Sequence, residues 1–311
     1  MIKKRIHNFF IFVFSLSIII ISLELFCRYF LNLGKPVIYK PNILWGYSPK
    51  PNQTTERFKK SKITIDNNGT RSIYNWNNDK KKIVFFGDSV AYGGSYIDDE
   101  KIFSNLVCKG QENYSCFNAG VNAYGILNMT NRSRFDERLE ESSIRIFVFI
   151  NEDFFRGLQD KNTAHFFMKD LNKFFPGLHE IINFFFTKYN PKDFLSKKTK
   201  NYEISIFDKK KAIIYGIERL SKEYKRLSNK GDKVYFYLSP NIDEFRSKEI
   251  NRLSKLIINT GKDFDIEINS LLSNMLSSNI EINKIFYDRV HLKKDGHQIL
   301  SESLLKDIIN K

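Results

Sequence analysis

Residues 82–90 read Lys-Ile-Val-Phe-Phe-Gly-Asp-Ser-Val, and this stretch decides how the rest of the chain is interpreted. A short apolar run that stops at a Gly-Asp-Ser turn predicts a buried strand followed by a loop. Ser89 then stands at the carboxyl end of a strand, where α/β sheets bind their ligands. A serine hydroxyl in that position is a candidate nucleophile, provided that a base lies close to it.

The base and its orienting group are expected near the C-terminus. The sequence Tyr-Asp-Arg-Val-His, residues 287–291, contains an Asp-x-x-His pair. In a nucleophilic triad His291 would take the proton of Ser89, and Asp288 would orient the imidazole and stabilise the imidazolium. The pair alone is a weak signal, but its predicted place between a terminal strand and a terminal helix makes it more specific.

Strand-like and helical patterns alternate from residue 80 onward. Helical spacing of apolar residues covers 211–229, and a last helix is predicted to begin at Asp295. This alternation predicts a three-layer α/β/α domain around a mainly parallel sheet of about five strands. The predicted strands are Ile83–Phe86, Cys116–Asn118, Ile144–Ile150, Val234–Leu238 and Ile285–Tyr287.

Taken in order, four segments resemble the SGNH (GDSL-type) hydrolase superfamily, over about residues 80–311. Residues 87–90 match its first block, with Val where Leu is usual, and 118–125 are similar to its second block. Asn151 stands in place of the third-block Asn, and residues 288–291 match the fifth block. The resemblance implies a flavodoxin-like α/β fold. No cluster of residues has metal-ligand spacing, so no metal or other cofactor is expected.

The resemblance also implies ester hydrolysis or acyl transfer through an acyl-serine. The catalytic residues would be Ser89, Asp288 and His291, and the oxyanion would be held by the N–H groups of Ser89 and Gly120 and by the Asn151 amide. Such donors are each worth on the order of 3 kcal/mol in the transition state. The third block departs from the usual Gly-x-Asn-Asp, because the chain has Phe-Ile-Asn-Glu at 149–152. The alternative is that Asn151 only caps the turn after its strand.

The N-terminus is expected to be a membrane anchor. Residues 9–23 carry no charge and follow Lys3, Lys4 and Arg5. We expect 1–7 to be a cytoplasmic basic flank and 8–30 a transmembrane signal anchor, which would place the remainder in a periplasm or outside the cell. A cleaved signal peptide and a buried core helix are the alternatives.

The remaining chain divides into a connector and a large domain. Residues 31–78, rich in Pro, Asn and Gly, form the connector, and 79–311 form the hydrolase-like domain. The stretches 51–52 and 67–71 look like the front end of membrane-anchored members of the superfamily. A Phe-rich helical insertion is expected at about 154–210, either with a core of its own, as a lid, or as a patch on the membrane.

Composition narrows the class of partner. The chain is 42% hydrophobic and 27% charged, which excludes a disordered protein. Its net charge of +15 comes from dispersed Lys and Arg residues, without an Arg-rich arm or zinc-finger spacing, so no nucleic-acid partner is expected. Three cysteines are present, and a disulfide between Cys108 and Cys116 is one of two open possibilities, the other being reduced buried thiols.

These observations together predict an envelope-anchored serine esterase or O-acyltransferase. Its expected substrates are O-acyl esters, acetyl esters first, of cell-envelope carbohydrate, and a membrane protein could supply the acyl donor. A lipid esterase is the second enzymatic possibility, suggested by the anchor and the Phe-rich insertion. A non-catalytic glycan-binding or assembly factor on the same fold is the third, suggested by the altered third block.

Overall fold

The computed structural model describes residues 2–57, 61–77, 79–159, 175–188 and 206–308. Strands in this part of the chain form two antiparallel hairpins and one five-stranded sheet. The strands, in chain order, are β1 Tyr39–Asn42, β2 Gly46–Pro49, β3 Gln53–Arg57, β4 Ser61–Ile65, β5 Lys81–Gly87, β6 Tyr114–Asn118, β7 Ile144–Phe149, β8 Lys233–Leu238 and β9 Ile268–Ser270.

Helices lie before, between and after these strands. They are α1 Ile2–Tyr29, α2 Ser89–Tyr92, α3 Phe103–Val107, α4 Ile126–Phe135, α5 Pro176–Lys188, α6 Ile206–Ser228, α7 Ile242–Ser247, α8 Arg252–Asp263, α9 Leu272–Ser277, α10 Ile282–Ile285 and α11 Lys294–Ile308. Short 3₁₀ turns cover Asp99–Lys101, Glu137–Leu139 and Asn151–Phe155.

The five-stranded sheet is parallel throughout, in the order β6-β5-β7-β8-β9. Successive residues of β5 face opposite sides of it: Val84 and Phe86 pack into one hydrophobic core, Ile83 and Phe85 into a second. Helices α4, α6 and α8 contribute to the first core, and α3, α9 and α11 to the second. The predicted three-layer α/β/α fold is therefore confirmed, with both faces of the sheet covered by helices.

One predicted strand is wrong. Residues 285–287 do not form the fifth strand, because Ile285 ends α10 and Phe286 makes only an isolated bridge to Leu292. The fifth strand is β9, which pairs with β8 over three residues at the sheet edge. An apolar triplet is too short to separate a strand from the end of a helix by its pattern alone, and here the triplet leads into a turn.

The predicted connector contains ordered structure. Hairpins β1–β2 and β3–β4 lie within it. Tyr47 packs into the first core, and its hydroxyl donates to the Asn122 carbonyl at 2.7 Å. The Arg71 N–H donates to the Asn118 carbonyl at 2.8 Å, so this segment is joined to the end of β6.

The N-terminal helix α1 is long and apolar enough over Lys4–Tyr29 to cross a membrane. Its far end contacts the first turn of α5. The Glu24 carboxylate accepts the N–H groups of Gly177 at 3.1 Å and Leu178 at 2.8 Å, and Cys27 is buried beside them. On the next turn of α5, Glu180 pairs with the buried Arg57 of β3. These contacts fix the end of α1 against the rest of the chain.

Two further predictions concern the insertion and the cysteines. Most of the insertion expected at about 154–210 lies outside the described residues. The part of it that is described includes α5 and the start of α6. Cys108 and Cys116 form a disulfide that links the end of α3 to β6, and Cys27 is a free, buried thiol.

Candidate active site

Ser89 begins α2 directly after the carboxyl end of β5. The preceding Asp88 caps this helix, since its Oδ1 accepts the Val90 N–H at 2.8 Å. A Cβ on Gly87 would lie 2.3 Å from the Val148 carbonyl oxygen and 2.4 Å from the Ala91 Cβ. Only glycine fits this strand-to-helix turn, which explains the Gly-Asp-Ser sequence and holds the serine at the edge of the sheet.

Asp288 and His291 lie on a tight turn between α10 and α11. Asp288 shapes that turn, because its Oδ1 accepts the N–H groups of Val290 at 3.0 Å and His291 at 2.9 Å. Its Oδ2 lies 2.7 Å from His291 Nδ1, and His291 Nε2 lies 2.8 Å from Ser89 Oγ. Residues 202 positions apart in sequence thus form a continuous Asp-His-Ser chain of hydrogen bonds.

The electrostatics of the turn suit a general base. Burial lowers the pKa of the His291 imidazole, but the hydrogen bond and the negative charge of Asp288 outweigh it, so this pKa is raised. Burial raises the pKa of Asp288, yet the hydrogen bonds from the His291 side chain and from two backbone N–H groups hold it well below its usual range. Asp288 therefore stays charged and stabilises the protonated imidazole.

The two other predicted oxyanion donors have protein partners in this structure. The Gly120 N–H donates to Asn118 Oδ1 at 2.8 Å. The Asn151 amide Nδ2 donates to Ser254 Oγ at 3.0 Å, and this hydroxyl donates to Glu244 Oε1 at 2.5 Å. Asn151 does not cap the following 3₁₀ turn, whose cap position is Ile150. The role of Gly120 and Asn151 as oxyanion donors remains a prediction.

A buried charge cluster beside Ser89 was not predicted from the sequence. Arg156 Nη1 lies 3.2 Å from Asp88 Oδ2 and 2.6 Å from Asp153 Oδ1, and both carboxylate side chains are fully buried. The same nitrogen donates to the Tyr124 carbonyl at 2.9 Å. Burial raises the pKa of the Asp153 carboxyl, and nearby Asp88 raises it further, whereas Arg156 lowers it. One guanidinium thus holds two carboxylates next to Ser89.

The described histidines outside this turn do not build a second centre. His297 is buried, its Nδ1 accepts the Phe103 N–H at 3.3 Å, and burial lowers its pKa to about 3, so it is a neutral packing residue. Over the described ranges, which omit 160–174 and 189–205, no three His, Cys, Asp or Glu side chains are grouped as metal ligands.

Comparisons with known proteins give structural matches only. No family model matches the chain, and no curated protein matches its sequence. A lipolytic protein of the G-D-S-L family from Veillonella parvula is similar at 12% identity and a TM-score of 0.42, over 74% of this chain and 100% of that one.

Two further solved structures are esterases or lipases by their descriptions. An acetyl xylan esterase from Geobacillus stearothermophilus is 14% identical with a TM-score of 0.43, over 73% of this chain and 94% of that one. A lipase/acylhydrolase from Enterococcus faecalis is 14% identical with a TM-score of 0.43, over 74% of this chain and 96% of that one.

Proposed function

We propose that this protein is a serine esterase or O-acyltransferase that works through an acyl-serine. The observation that carries the proposal is the chain of hydrogen bonds from Asp288 Oδ2 through His291 to Ser89 Oγ, at 2.7 and 2.8 Å. A packing role alone does not require a serine, a histidine and a carboxylate in this order and at these distances.

In the proposed reaction, Ser89 Oγ attacks the carbonyl carbon of an ester while His291 Nε2 takes the hydroxyl proton. The tetrahedral intermediate collapses, its bond to the leaving oxygen breaks, and His291 returns the proton to the departing alcohol. Water then hydrolyses the acyl-serine, or an acceptor hydroxyl takes the acyl group, with the same histidine as base. Asp288 keeps the imidazole in its orientation during both halves.

The proposed oxyanion hole uses the Ser89 N–H, the Gly120 N–H and the Asn151 amide. Gly120 and Asn151 must release their present partners, Asn118 and Ser254, when substrate arrives. Each of these two donors then exchanges a hydrogen bond to a neutral oxygen for one to the charged oxyanion. Hydrogen bonds to a charged oxygen are about twice as strong as those between neutral groups.

The proposed substrates are O-acyl esters, acetyl esters first, of cell-envelope carbohydrate. The Asp288 side chain is 47% exposed and that of His291 is 29% exposed, so the triad lies at an open surface that a polymer can reach. The apolar α1 supports anchoring in a membrane, and the disulfide supports a periplasmic or extracellular location. A membrane protein that supplies the acyl donor is part of the transferase form of the proposal.

Two alternatives have an observation behind them. A lipid ester substrate is favoured by the docking of α1 against α5, which would hold the site near the membrane surface. A glycan-binding role without catalysis is favoured by the partners of Gly120 and Asn151, which occupy two oxyanion donors.

The test uses the full chain in detergent, because α1 contacts α5. Acetate release and acetyl transfer are measured on acetylated xylo-oligosaccharides and, in parallel, fatty-acid release on a short-chain phosphatidylcholine. We expect turnover of the oligosaccharides that is lost in Ser89→Ala and kept in Ser277→Ala, an exposed serine of α9. Turnover of the lipid alone would favour the lipid esterase, and no turnover of either would favour the glycan-binding role.

A further inference from the structure

Two tyrosines are stacked beside the triad. The rings of Tyr96 and Tyr287 have centroids 4.2 Å apart and an interplanar angle of 15°. The Tyr96 hydroxyl donates to the Leu292 carbonyl at 3.1 Å, which fixes this ring against the turn that carries His291. Tyr96 belongs to the loop after α2, and Tyr287 to the turn before α11. The two segments that supply Ser89 and His291 therefore also supply the stacked pair.

The pairing of the turn places Tyr287 on the same side as the catalytic imidazole. Phe286 and Leu292 face each other in an antiparallel bridge, and both are buried in the second core. The next pair toward the tip of the turn is Tyr287 and His291. The Tyr287 N–H donates a hydrogen bond to the His291 carbonyl at 2.8 Å. Side chains of directly opposed residues project from the same face of a hairpin, and successive pairs alternate. Tyr287 and His291 thus share the face opposite to the core.

One face of the Tyr287 ring is open. This residue is 59% exposed, although Tyr96 covers one side of its ring. A single exposed aromatic residue is common on protein surfaces. This one differs because a second ring holds it in place and because it precedes Asp288 directly in the sequence.

Charged side chains flank the same turn. Arg289 Nη1 lies 3.5 Å from Glu152 Oε1, and Arg289 Nε lies 3.3 Å from Asp243 Oδ2. The side chains of Arg289 and Asp243 are well exposed and that of Glu152 is partly exposed, so all three can exchange hydrogen bonds with ligand hydroxyl groups. The surface around this turn thus combines the open face of an aromatic ring with charged hydrogen-bonding groups.

We propose that Tyr287, held by Tyr96, is a stacking platform for a sugar ring of the O-acylated substrate. The face of an aromatic ring is electron-rich, and the C–H groups on one side of a pyranose present the positive edge that such a face attracts. The hydroxyl groups around the sugar would bind Arg289 and Glu152. An acyl chain would use the apolar ring but not the charged groups, so this surface suits carbohydrate better than lipid. The inference rests on the proposed function and names the substrate class of the same site.

The experiment compares Tyr287→Ala with Tyr287→Phe in the full chain. Substrates are an acetylated xylo-oligosaccharide and triacetin, a small acetyl ester without a sugar ring. For Tyr287→Ala we expect KM for the oligosaccharide to rise by about 3- to 10-fold, the range of one aromatic contact. The kcat, the turnover of triacetin and the rate of fluorophosphonate labelling at Ser89 should stay within about twofold of wild type. Tyr287→Phe should behave as wild type, as should Tyr215→Ala, a 52% exposed tyrosine on α6.

Two results would overturn the platform. One is an unchanged KM for the oligosaccharide in Tyr287→Ala. The other is an equal loss on triacetin and in labelling, which would mean that Tyr287 only supports the catalytic turn.

If the wild-type protein is labelled at Ser89 but does not hydrolyse the oligosaccharide, the proposed function fails. A binding measurement then tests the stacking platform on its own. Saturation-transfer NMR of the oligosaccharide with the Ser89→Ala protein should then show contact that Tyr287→Ala removes. If the oligosaccharide shows no contact with the protein, or the same contact when Tyr287 is replaced by Ala, the stacking platform is rejected.

Discussion

Arg156→Ala should destabilise the protein and make its stability depend on pH. The guanidinium lies 3.2 Å from Asp88 and 2.6 Å from Asp153, and both carboxylates are fully buried. Removing one partner of a buried ion pair costs about 3–5 kcal/mol, because the remaining charge is left without compensation. Arg156 is itself 29% exposed, so we expect the lower end of this range, about 3 kcal/mol.

The sign of the pH effect follows from the carboxylates. The pKa of Asp153 is already raised by burial and by Asp88, and loss of Arg156 would raise it further. A group with a raised folded pKa stabilises the fold below its unfolded pKa, and this contribution is lost as pH rises through the folded value. The deficit of Arg156→Ala should therefore be small near pH 4 and largest near pH 8.

Thermal unfolding of the full chain in detergent measures this effect. A loss of about 3 kcal/mol corresponds to a fall in Tm of roughly 6–12 °C for a domain of this size. Adding Asp153→Asn should restore part of the loss, because one buried charge is removed. Arg289→Ala, which removes ion pairs of a 63% exposed arginine, should change Tm little. A fall in Tm that is equal at pH 5 and pH 8, or no fall at all, would show that Arg156 does not compensate the buried carboxylates.

Three further perturbations have defined outcomes. Asp288→Asn should lower kcat by roughly 10³- to 10⁴-fold. The acidic limb of its kcat/KM profile should move to lower pH, because Asp288 raises the pKa of His291 in the wild-type protein. An acidic limb that stays in place would contradict this role of Asp288. Glu24→Ala leaves the first N–H groups of α5 without their acceptor, at a cost of about 1–2 kcal/mol in stability. Amide hydrogen exchange in α5 should therefore become faster. Leu23→Ala, which changes an exposed neighbour on α1, should leave this exchange unchanged. Replacing both Cys108 and Cys116 by Ser opens a loop of sequence separation 8 and should cost about 2–3 kcal/mol in urea unfolding; an unchanged midpoint would argue against a formed disulfide.

The central strands could be predicted from the sequence because they are buried on both faces. Every residue of β7 is buried, so its sequence is a continuous apolar run interrupted only by Arg145, which finds its partners inside the fold. The edge strand β9 has three residues and no such run, and the apolar triplet at 285–287 was more conspicuous. Residues 268–270 form a strand because they pair with β8, and the local sequence pattern does not predict this pairing.

The predicted triad residues are together in the structure, because Ser89 follows the carboxyl end of β5 and the turn between α10 and α11 brings Asp288 and His291 to it. The partners of Asn151 could not be predicted, because Asn251 and Ser254 are about 100 positions away and lie at α8. Arg156 was also missed. It falls inside the predicted insertion, and a single arginine there carries no pattern that connects it with Asp88.

The most direct test of the proposed triad is fluorophosphonate labelling of the full chain, with the adduct located by mass spectrometry. An activated serine requires the hydrogen bond between His291 Nε2 and Ser89 Oγ, which is 2.8 Å long here. We expect a single adduct at Ser89 that disappears in His291→Ala and persists in His179→Ala, a histidine of α5. A folded wild-type protein that remains unlabelled, or one whose labelling at Ser89 survives His291→Ala, would contradict it.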